Sequence, residues 1–364
     1  MTVKKIGVID LFAGSGGLSL GFKNAGFKII AAVEFNEKAA ETYSNNFKKT
    51  KLIVDDIKNV KSEELKKIVQ KEGFRQFIVV GGPPCQPYSS ANKQNNGKSH
   101  PFASSVNHYF RLISKLKPKA FLFENVTAFR NLPGWKKFLK DFEKIGYTVS
   151  VSVIACESVG IPQKRKRLFV SGFLRGIKCD LSTLKSSTSC DNLSDAILGL
   201  PHITVRTTGK DIITHPRKFS SKYEKKLMGN TKKLYNHWCT EHGHDVVNTI
   251  KEIKEGQSLL KSWDKLSRKT KSRFKNKISL HGNIYRRLSY NDITPTIVHA
   301  RRAMLLHPKE NRIISVREAA RIQSFPDSFR FYGSRNSQYQ QIADAVPPLI
   351  AQQIALKYAK NLKK

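Results

Sequence analysis

The spacing of apolar residues divides the chain into regions. Over residues 6–173, short apolar runs alternate with segments whose apolar positions recur every three or four residues. The runs at 6–12, 28–34, 52–54, 77–81, 120–124, 147–155 and 167–173 have the length and the β-branched and aromatic content of strands. Between them, 18–25, 37–47, 63–72, 108–116 and 135–145 each carry one apolar stripe and predict amphipathic helices. Such alternation predicts an α/β fold, a doubly wound and mostly parallel sheet with helices on both faces. Ligands of these sheets sit beyond the carboxyl ends of the strands, so the loops there are where chemistry is expected. From about 174 to 299 the pattern dissolves into Ser, Thr, Lys and Asn. Tyr223, Tyr235, Trp238, Trp263, Phe274 and Tyr285 are interspersed and predict a second, smaller domain. Helical periodicity returns at 315–324 and 346–362. The expected division is 1–178 with 301–364 in the larger domain and 179–300 in the smaller.

Charge narrows the choice of partner. Sixty-five Lys and Arg against 28 Asp and Glu leave a net +37, which points to a polyanion, with nucleic acid first. A lysine-biased proteome accounts for part of that excess. Residues 267–277 hold six basic side chains and no acid, the usual mark of a solvated face. No apolar run approaches the roughly 18 residues of a membrane span, and Asp10 with the glycines at 14–17 interrupts any signal-peptide core. The five cysteines, Cys85, Cys156, Cys179, Cys190 and Cys239, form no CxxC pair. Neither a disulfide scaffold nor a metal site is expected, and a reducing cytoplasm is.

The segment DLFAGSGG (10–17) closes the first predicted strand and opens a helix, where glycines admit a ligand to the backbone and free N–H groups await it. A dinucleotide fingerprint would need a third glycine at 19, which is Ser19. Glu34 follows at the end of the next strand, suited to both ribose hydroxyls of a nucleoside, and Asp55, Asp56 and Ile57 follow the third. The series favours an adenosine cofactor without a pyrophosphate cradle, S-adenosylmethionine rather than NAD.

In GGPPCQPYSS (81–90), a Pro-Pro turn presents Cys85 at a strand end, ahead of a long polar stretch, 86–100, suited to closing over a polyanion. A thiol with an ordinary pKa near ~8.5 needs a neighbouring cation to ionise at neutral pH. Glu124 ends another strand within ENV (124–126). Arg165 and Arg167 in QKRKR (163–167), two apart in an extended segment, are expected to aim together into the site.

In this order, and with REAARIQSFPD (317–327) and QYQQIADAVPP (338–348) behind them, these motifs resemble those of the cytosine-5 DNA methyltransferases from residue 10 to about 353, thinly across 180–280. The resemblance implies a Rossmann-like catalytic domain binding S-adenosyl-L-methionine, whose last helix, after Gln338, returns to pack beside the first strand. It implies a target-recognition domain in the variable region. Carried over by motif, Phe12, Gly14, Gly16, Gly17, Glu34, Phe35, Asp56, Ile57 and Pro84 would line the cofactor, as would Asp344 and Ala345. Cys85 would be the nucleophile, Glu124 would hold the base at ring nitrogen 3, Arg167 would contact its carbonyl, and Arg165 would lie close behind. The chain departs from the family in reading Ala343-Asp344 where Gly-Asn is usual. No Asp-x-Arg pair follows the polar stretch, so the phosphate-gripping Arg is not placed.

The expected partner is double-stranded DNA, in a cytoplasmic, stand-alone bacterial monomer that needs no stable protein partner and acts either beside a cognate restriction endonuclease or as an orphan enzyme. An RNA-directed member of the family would carry a Cys-Phe-Thr tripeptide, which the sequence lacks. A non-catalytic relative would lack Cys85 or Glu124, and a nicotinamide dehydrogenase reading leaves the charge unexplained.

Overall fold

The structure, a computed structural model, describes residues 6–84, 104–185, 190–203, 212–215, 218–239, 241–277, 282 and 284–363. Two compact units emerge, one of Met1–Val159, Arg165–Ser186 and Ala345–Lys364, the other of Gly160–Lys164 and Ser187–Asp344.

The first unit is built on a seven-stranded sheet. Its strands are β1 (Ile6–Leu11), β2 (Lys28–Glu34), β3 (Lys51–Val54), β4 (Gln76–Gly81), β5 (Ala120–Val126), β6 (Tyr147–Ala155) and β7 (Lys166–Leu174), in the order β3-β2-β1-β4-β5-β7-β6. All neighbours are parallel except β7, which runs antiparallel to both β5 and β6. Every residue of β1 is buried, which is why its sequence, Asp10 apart, reads as an apolar run rather than an alternation. Helices α1 (Gly17–Asn24), α2 (Glu37–Asn46), α3 (Ser62–Lys71), α4 (Ser104–Leu116) and α5 (Trp135–Lys144) fall where the apolar stripes predict them. The core gathers aromatic rings between β5 and helices α4 and α5. Phe121 packs on Phe142 with centroids 4.2 Å apart, and the Tyr109 hydroxyl donates to the Leu122 carbonyl at 2.8 Å.

The C-terminal helix, Pro348–Asn361, rejoins this unit. It packs on α1, the helix that follows the first strand, and the Tyr358 hydroxyl donates to the Phe121 carbonyl of β5 at 2.7 Å. Gln338 lies in an earlier helix, Arg335–Asp344, that belongs to the second unit.

The second unit has short elements and a buried charge network. Arg312 donates twice to Glu318 at 2.8 Å, and Glu318 also closes a capping box with Ser315 at the start of the helix Val316–Ile322. Arg321 donates twice to Asp327, at 2.9 and 2.6 Å, and lies 3.2 Å from Glu224; Asp327 also bonds His215. Arg317 donates to the carbonyls of Tyr235, Pro326 and Phe329. These bonds tie 312–329 to 215–236, so residues 301–344 stand with the second unit and the return to the first begins at Ala345 rather than at 301. Among the described residues, no helix is long and apolar enough to cross a membrane.

Burial alone would raise the Glu318 carboxyl, but the Arg312 guanidinium overrides it and holds the acid well below the usual range. Breaking such a pair strands one buried charge. Glu318→Gln is expected to lower unfolding free energy by about 3–5 kcal/mol at neutral pH; urea denaturation checks this, and a loss under about 1 kcal/mol would place the pair among the weak ones.

Candidate active site

Strand β1 pairs with β2 on one side and β4 on the other, so the connections leaving their carboxyl ends diverge and open a crevice between Leu11 and Gly81, which are paired in register. Beyond Leu11 the backbone turns sharply. Phe12 and Gly14 hold left-handed conformations, with φ of 60° and 55°. A Cβ on Gly14 would meet nothing within 4 Å, so its backbone faces open space. The Glu34 carboxylate is held at this turn by the N–H groups of Gly14 (2.7 Å) and Asn36 (2.8 Å). Beside it Phe35 is 66% exposed, a ring uncovered at the sheet edge. Ile57 is buried, Asp56 is half-buried with its carboxyl held below the usual range by the Lys58 N–H, and Pro84 is exposed. The Ser15 hydroxyl is buried with no hydrogen-bond partner. An anchored acid, an open glycine backbone, an orphaned hydroxyl and an exposed ring suit a nucleoside cofactor.

Gly16 and Gly17 answer to packing. Gly16 takes φ 100° as the N-cap of α1, where a side chain would strike Phe47 and Tyr43. A Cβ on Gly17 would collide with the Val346 carbonyl. Ala345 is half-buried beside Gly17, and Asp344 is exposed at the end of its helix, accepting a bond from Gln340 at 2.8 Å.

Beneath the turn lies a group not singled out from the sequence. Asp10 is fully buried, and its Oδ2 accepts from the N–H (3.1 Å) and hydroxyl (2.6 Å) of Ser19, whose oxygen lies 2.7 Å from the Tyr43 hydroxyl. The other oxygen, Oδ1, has no partner. Burial pushes the Asp10 carboxyl up to about 7, against the bonds from Ser19.

On the other side of the crevice, β4 ends at Gly81 and the turn Gly82–Pro84 follows. A Cβ on Gly82 would lie 2.7 Å from Oε2 of Glu124, so the missing side chain lets the acid rest on this backbone. Asn125, buried, donates from Nδ2 to the Pro83 carbonyl at 3.1 Å. Arg167 pairs across the β5–β7 ladder, its Nε 3.2 Å from Oε1 of Glu124.

Arg165 takes a different course from the sequence expectation. It is buried and donates to the Ala345 carbonyl at 3.3 Å, while Arg167 turns to Glu124. The reason is local. Arg165 stands outside both the two-residue strand Gln163–Lys164 and β7, so the period of two does not carry through it.

Cys85 and the polar stretch 86–100 lie outside the described residues. The other four cysteines are buried and unbridged. Burial pushes the thiols up, Cys156 to about 12 and Cys179 and Cys239 to about 11, with Cys190 higher still. Such groups are poor nucleophiles near neutrality.

Comparison with known proteins gives the family of the chain. The pattern that describes C-5 cytosine-specific DNA methylases matches residues 6–360. The chain belongs to that family. This methylase is 32% identical to the Type II methyltransferase M.DdeI of Desulfomicrobium norvegicum, over 96% of its own chain and 87% of the relative's. It is 31% identical to the Type II methyltransferase M.XorII of Xanthomonas oryzae pv. oryzae, over 98% and 85%. A crystal structure described as a DNA modification methyltransferase encoded within an E. coli prophage matches with a TM-score of 0.78 at 26% identity, covering 99% of this chain and 100% of that one.

The sequence reading singled out Glu124 in ENV and passed over Asn125, whose signal was its place in the same motif. Asn125→Ala removes the tie between β5 and the turn ahead of Cys85. A displacement of about 1 Å there is expected to cost about 10²-fold in methyl transfer to DNA with folding intact. A tritium-transfer assay beside a melting curve checks this, and an unchanged rate would make the contact incidental.

Asp10 carries a pH signature. Its folded pKa stands above the ordinary value, so between pH 3.8 and about 7 the folded state binds more protons than the unfolded one and stability falls as pH rises. Asp10→Asn mimics the neutral acid and is expected to gain on the wild type across that window. Urea midpoints at about pH 5 and about pH 8 read it; a constant difference between the two proteins would show that Asp10 does not titrate there.

Proposed function

We propose that this methylase transfers a methyl group from S-adenosyl-L-methionine to carbon 5 of cytosine within a specific sequence of double-stranded DNA, through a transient bond between Cys85 and carbon 6 of a flipped base. The observation that carries the reading is the Glu124 carboxylate, which pairs with Arg167 and rests on Gly82, three residues before Cys85 in the chain.

Phe12, Gly14 and Gly16 would form the cofactor's floor, with the edge of Gly17 and Ala345 behind. Glu34 would accept its ribose hydroxyls with the carboxylate already oriented by Gly14 and Asn36. Phe35, Asp56, Ile57 and Pro84 would enclose the adenine, and Asp344 would stand at the rim. When bound, the cofactor supplies an electrophilic methyl group on a sulfonium.

Carbon 5 of cytosine is too weak a nucleophile to take that methyl unaided. The Cys85 thiolate adds its electron pair to carbon 6, and the ring becomes an enamine with density at carbon 5. Glu124 would hold ring nitrogen 3 and, as the protonated acid, give it a proton as sulfur adds, which neutralises the negative charge developing on the ring, while Arg167 orients the acid and reaches the base carbonyl. Arg165, bonded to the Ala345 carbonyl, positions the strand that carries Arg167. When carbon 5 takes the methyl, ring nitrogen 3 returns its proton to Glu124; the carbon 5 proton then passes to water, the sulfur–carbon bond breaks, and Cys85 leaves as thiolate. The base reaches these groups only when extruded from the duplex, at a cost of a few kcal/mol.

Residues 179–300 carry the target recognition in this reading, and the Type II description of the relatives favours a place in a restriction–modification system. The chain would act as a monomer in the cytoplasm. A duplex with 5-fluorocytosine at the target base retains fluorine where the proton should leave, so the covalent complex accumulates. Peptide mapping is expected to find the adduct on Cys85, and Cys85→Ala to bind cofactor and form none. Turnover without any adduct, or an adduct at another cysteine, would overturn the mechanism.

A further inference from the structure

One arginine of α4 holds the segment that follows β3. From a single nitrogen, Nη2, Arg111 donates to the carbonyls of Ile57 and Val60, each at 3.0 Å, although these lie 54 and 51 residues away along the chain. The helix that carries it is firmly seated. Val106, Tyr109, Leu112 and Ile113 are buried, and the Tyr109 hydroxyl donates to the Leu122 carbonyl of β5. Arg111 itself is half-buried, and its Nε donates to Nδ1 of His108, one turn earlier, at 3.4 Å.

The segment needs such a hold. Residues 55–60 form neither helix nor strand, and among the described residues its other hydrogen bonds stay within it. The Asp56 N–H and the Asn59 side chain donate to Asp55, the Lys58 N–H to the Asp56 carboxylate, and the Asn59 N–H to the Asp56 carbonyl. Ile57 and Val60 are buried, which anchors their side chains. Burial of a side chain does not by itself choose the tilt of the neighbouring peptide.

That tilt is where Arg111 acts. The peptide between Ile57 and Lys58 gives its oxygen to Arg111, and its N–H donates to Oδ1 of Asp56 at 2.9 Å. A trans peptide is planar, with C=O and N–H opposed, so fixing the oxygen aims the hydrogen. A cation at one end and a carboxylate at the other polarise the unit in the same sense, and each bond strengthens its neighbour. The second oxygen of Asp56, Oδ2, meets Lys58 Nζ at 3.4 Å in an exposed pair, a contact of little weight. The orientation of the Asp56 carboxylate therefore traces back to α4.

We infer that Arg111 is a positioning residue for the adenine of the cofactor: through the Ile57–Lys58 peptide it holds Asp56 where the carboxylate accepts from the 6-amino group, and so sets the preference for adenine over a base with oxygen at that place. This rests on the reading that the cofactor is S-adenosyl-L-methionine with Asp56 at the adenine edge. A carboxylate meets an amino group as acceptor to donor but meets a carbonyl as acceptor to acceptor. Sites built on such a bond reject the wrong partner strongly.

Calorimetric binding of S-adenosylhomocysteine and S-inosylhomocysteine reads the preference without turnover. The wild type is expected to favour the adenosyl compound. Arg111→Met is expected to weaken that compound about tenfold while the inosyl compound changes little, so the ratio narrows. Arg111→Gln, too short to reach both carbonyls, is expected to do the same, and it carries the test should melting curves show Arg111→Met unfolded. Arg111→Lys is expected to restore part of the ratio. Asp56→Ala is expected to lose the preference, and adding Arg111→Met to it to change the ratio no further. An unchanged ratio in the folded Arg111 variants, or an equal weakening of both compounds, would overturn the proposal. So would a further loss in the Asp56→Ala background, or a wild type indifferent to the amino group. If the wild type bound neither compound, the cofactor reading would fall, and this role with it.

Discussion

The constraint on which the first unit depends is the reversal of winding at β1. One neighbour, β2, is reached in the next step of the chain; the other, β4, only after two further strands and their helices. Connections that leave adjacent strand ends in opposite directions cannot cover the gap between them, and the turns at 12–17 and 82–84 border that gap. The turn at 12–17, Glu34 and the turn at 82–84 are brought together by this topology and not by closeness in sequence. Small residues then decide how near the parts approach. Gly14 leaves its backbone open, Gly82 admits the Glu124 carboxylate, and Gly17 lets the Val346 carbonyl settle on α1.

The two units handle buried charge in opposite ways. In the second unit, Arg312, Arg317 and Arg321 are completely enclosed, yet carboxylates and carbonyls meet their N–H groups. Pairing of this quality keeps the charges in place and makes the arrangement specific. In the first unit, Asp10 has Ser19 on one oxygen and nothing on the other, so burial wins and the proton is retained nearer neutrality. The acid sits on the strand that ends at the cofactor turn, and its bonds to Ser19 couple β1 to α1 and, through Tyr43, to α2. Its protonation therefore bears on the elements that shape the turn.

The sheet was legible because strands buried on both faces write themselves as continuous apolar runs, as in IGVIDL, and because amphipathic stripes such as that of α5 have a single reading. The motif loops were legible because they fall at strand ends. What escaped depended on contacts distant in sequence. Residues 301–344 stand with the second unit through bonds such as Arg321 to Glu224, which no periodicity announces. The helix Arg335–Asp344 was missed because it buries Gln338 and Gln341 as well as Ile342 and so carries no clean apolar stripe. Arg165 was misdirected because one residue outside the ladder breaks the alternation. Asp10 fell within a predicted strand, and only its burial reveals its protonation state.

The charge excess has to be read by location. Arg287, Arg312, Arg317 and Arg321 are interior groups with structural partners, and they add little to the attraction of a polyanion. The side chains of Arg268, Lys269, Arg273, Lys275 and Lys277 are exposed, and their field reaches no further than about 8 Å at physiological salt. Exposed basic side chains of this kind raise the local concentration of a polyanion without orienting it. Orientation needs cations whose own geometry is settled before the ligand arrives. Arg167, held by Glu124, meets that condition. In the proposed reaction the base must be presented at one place along the duplex, so a few rigid cations would matter more to it than the many surface ones that dominate the composition.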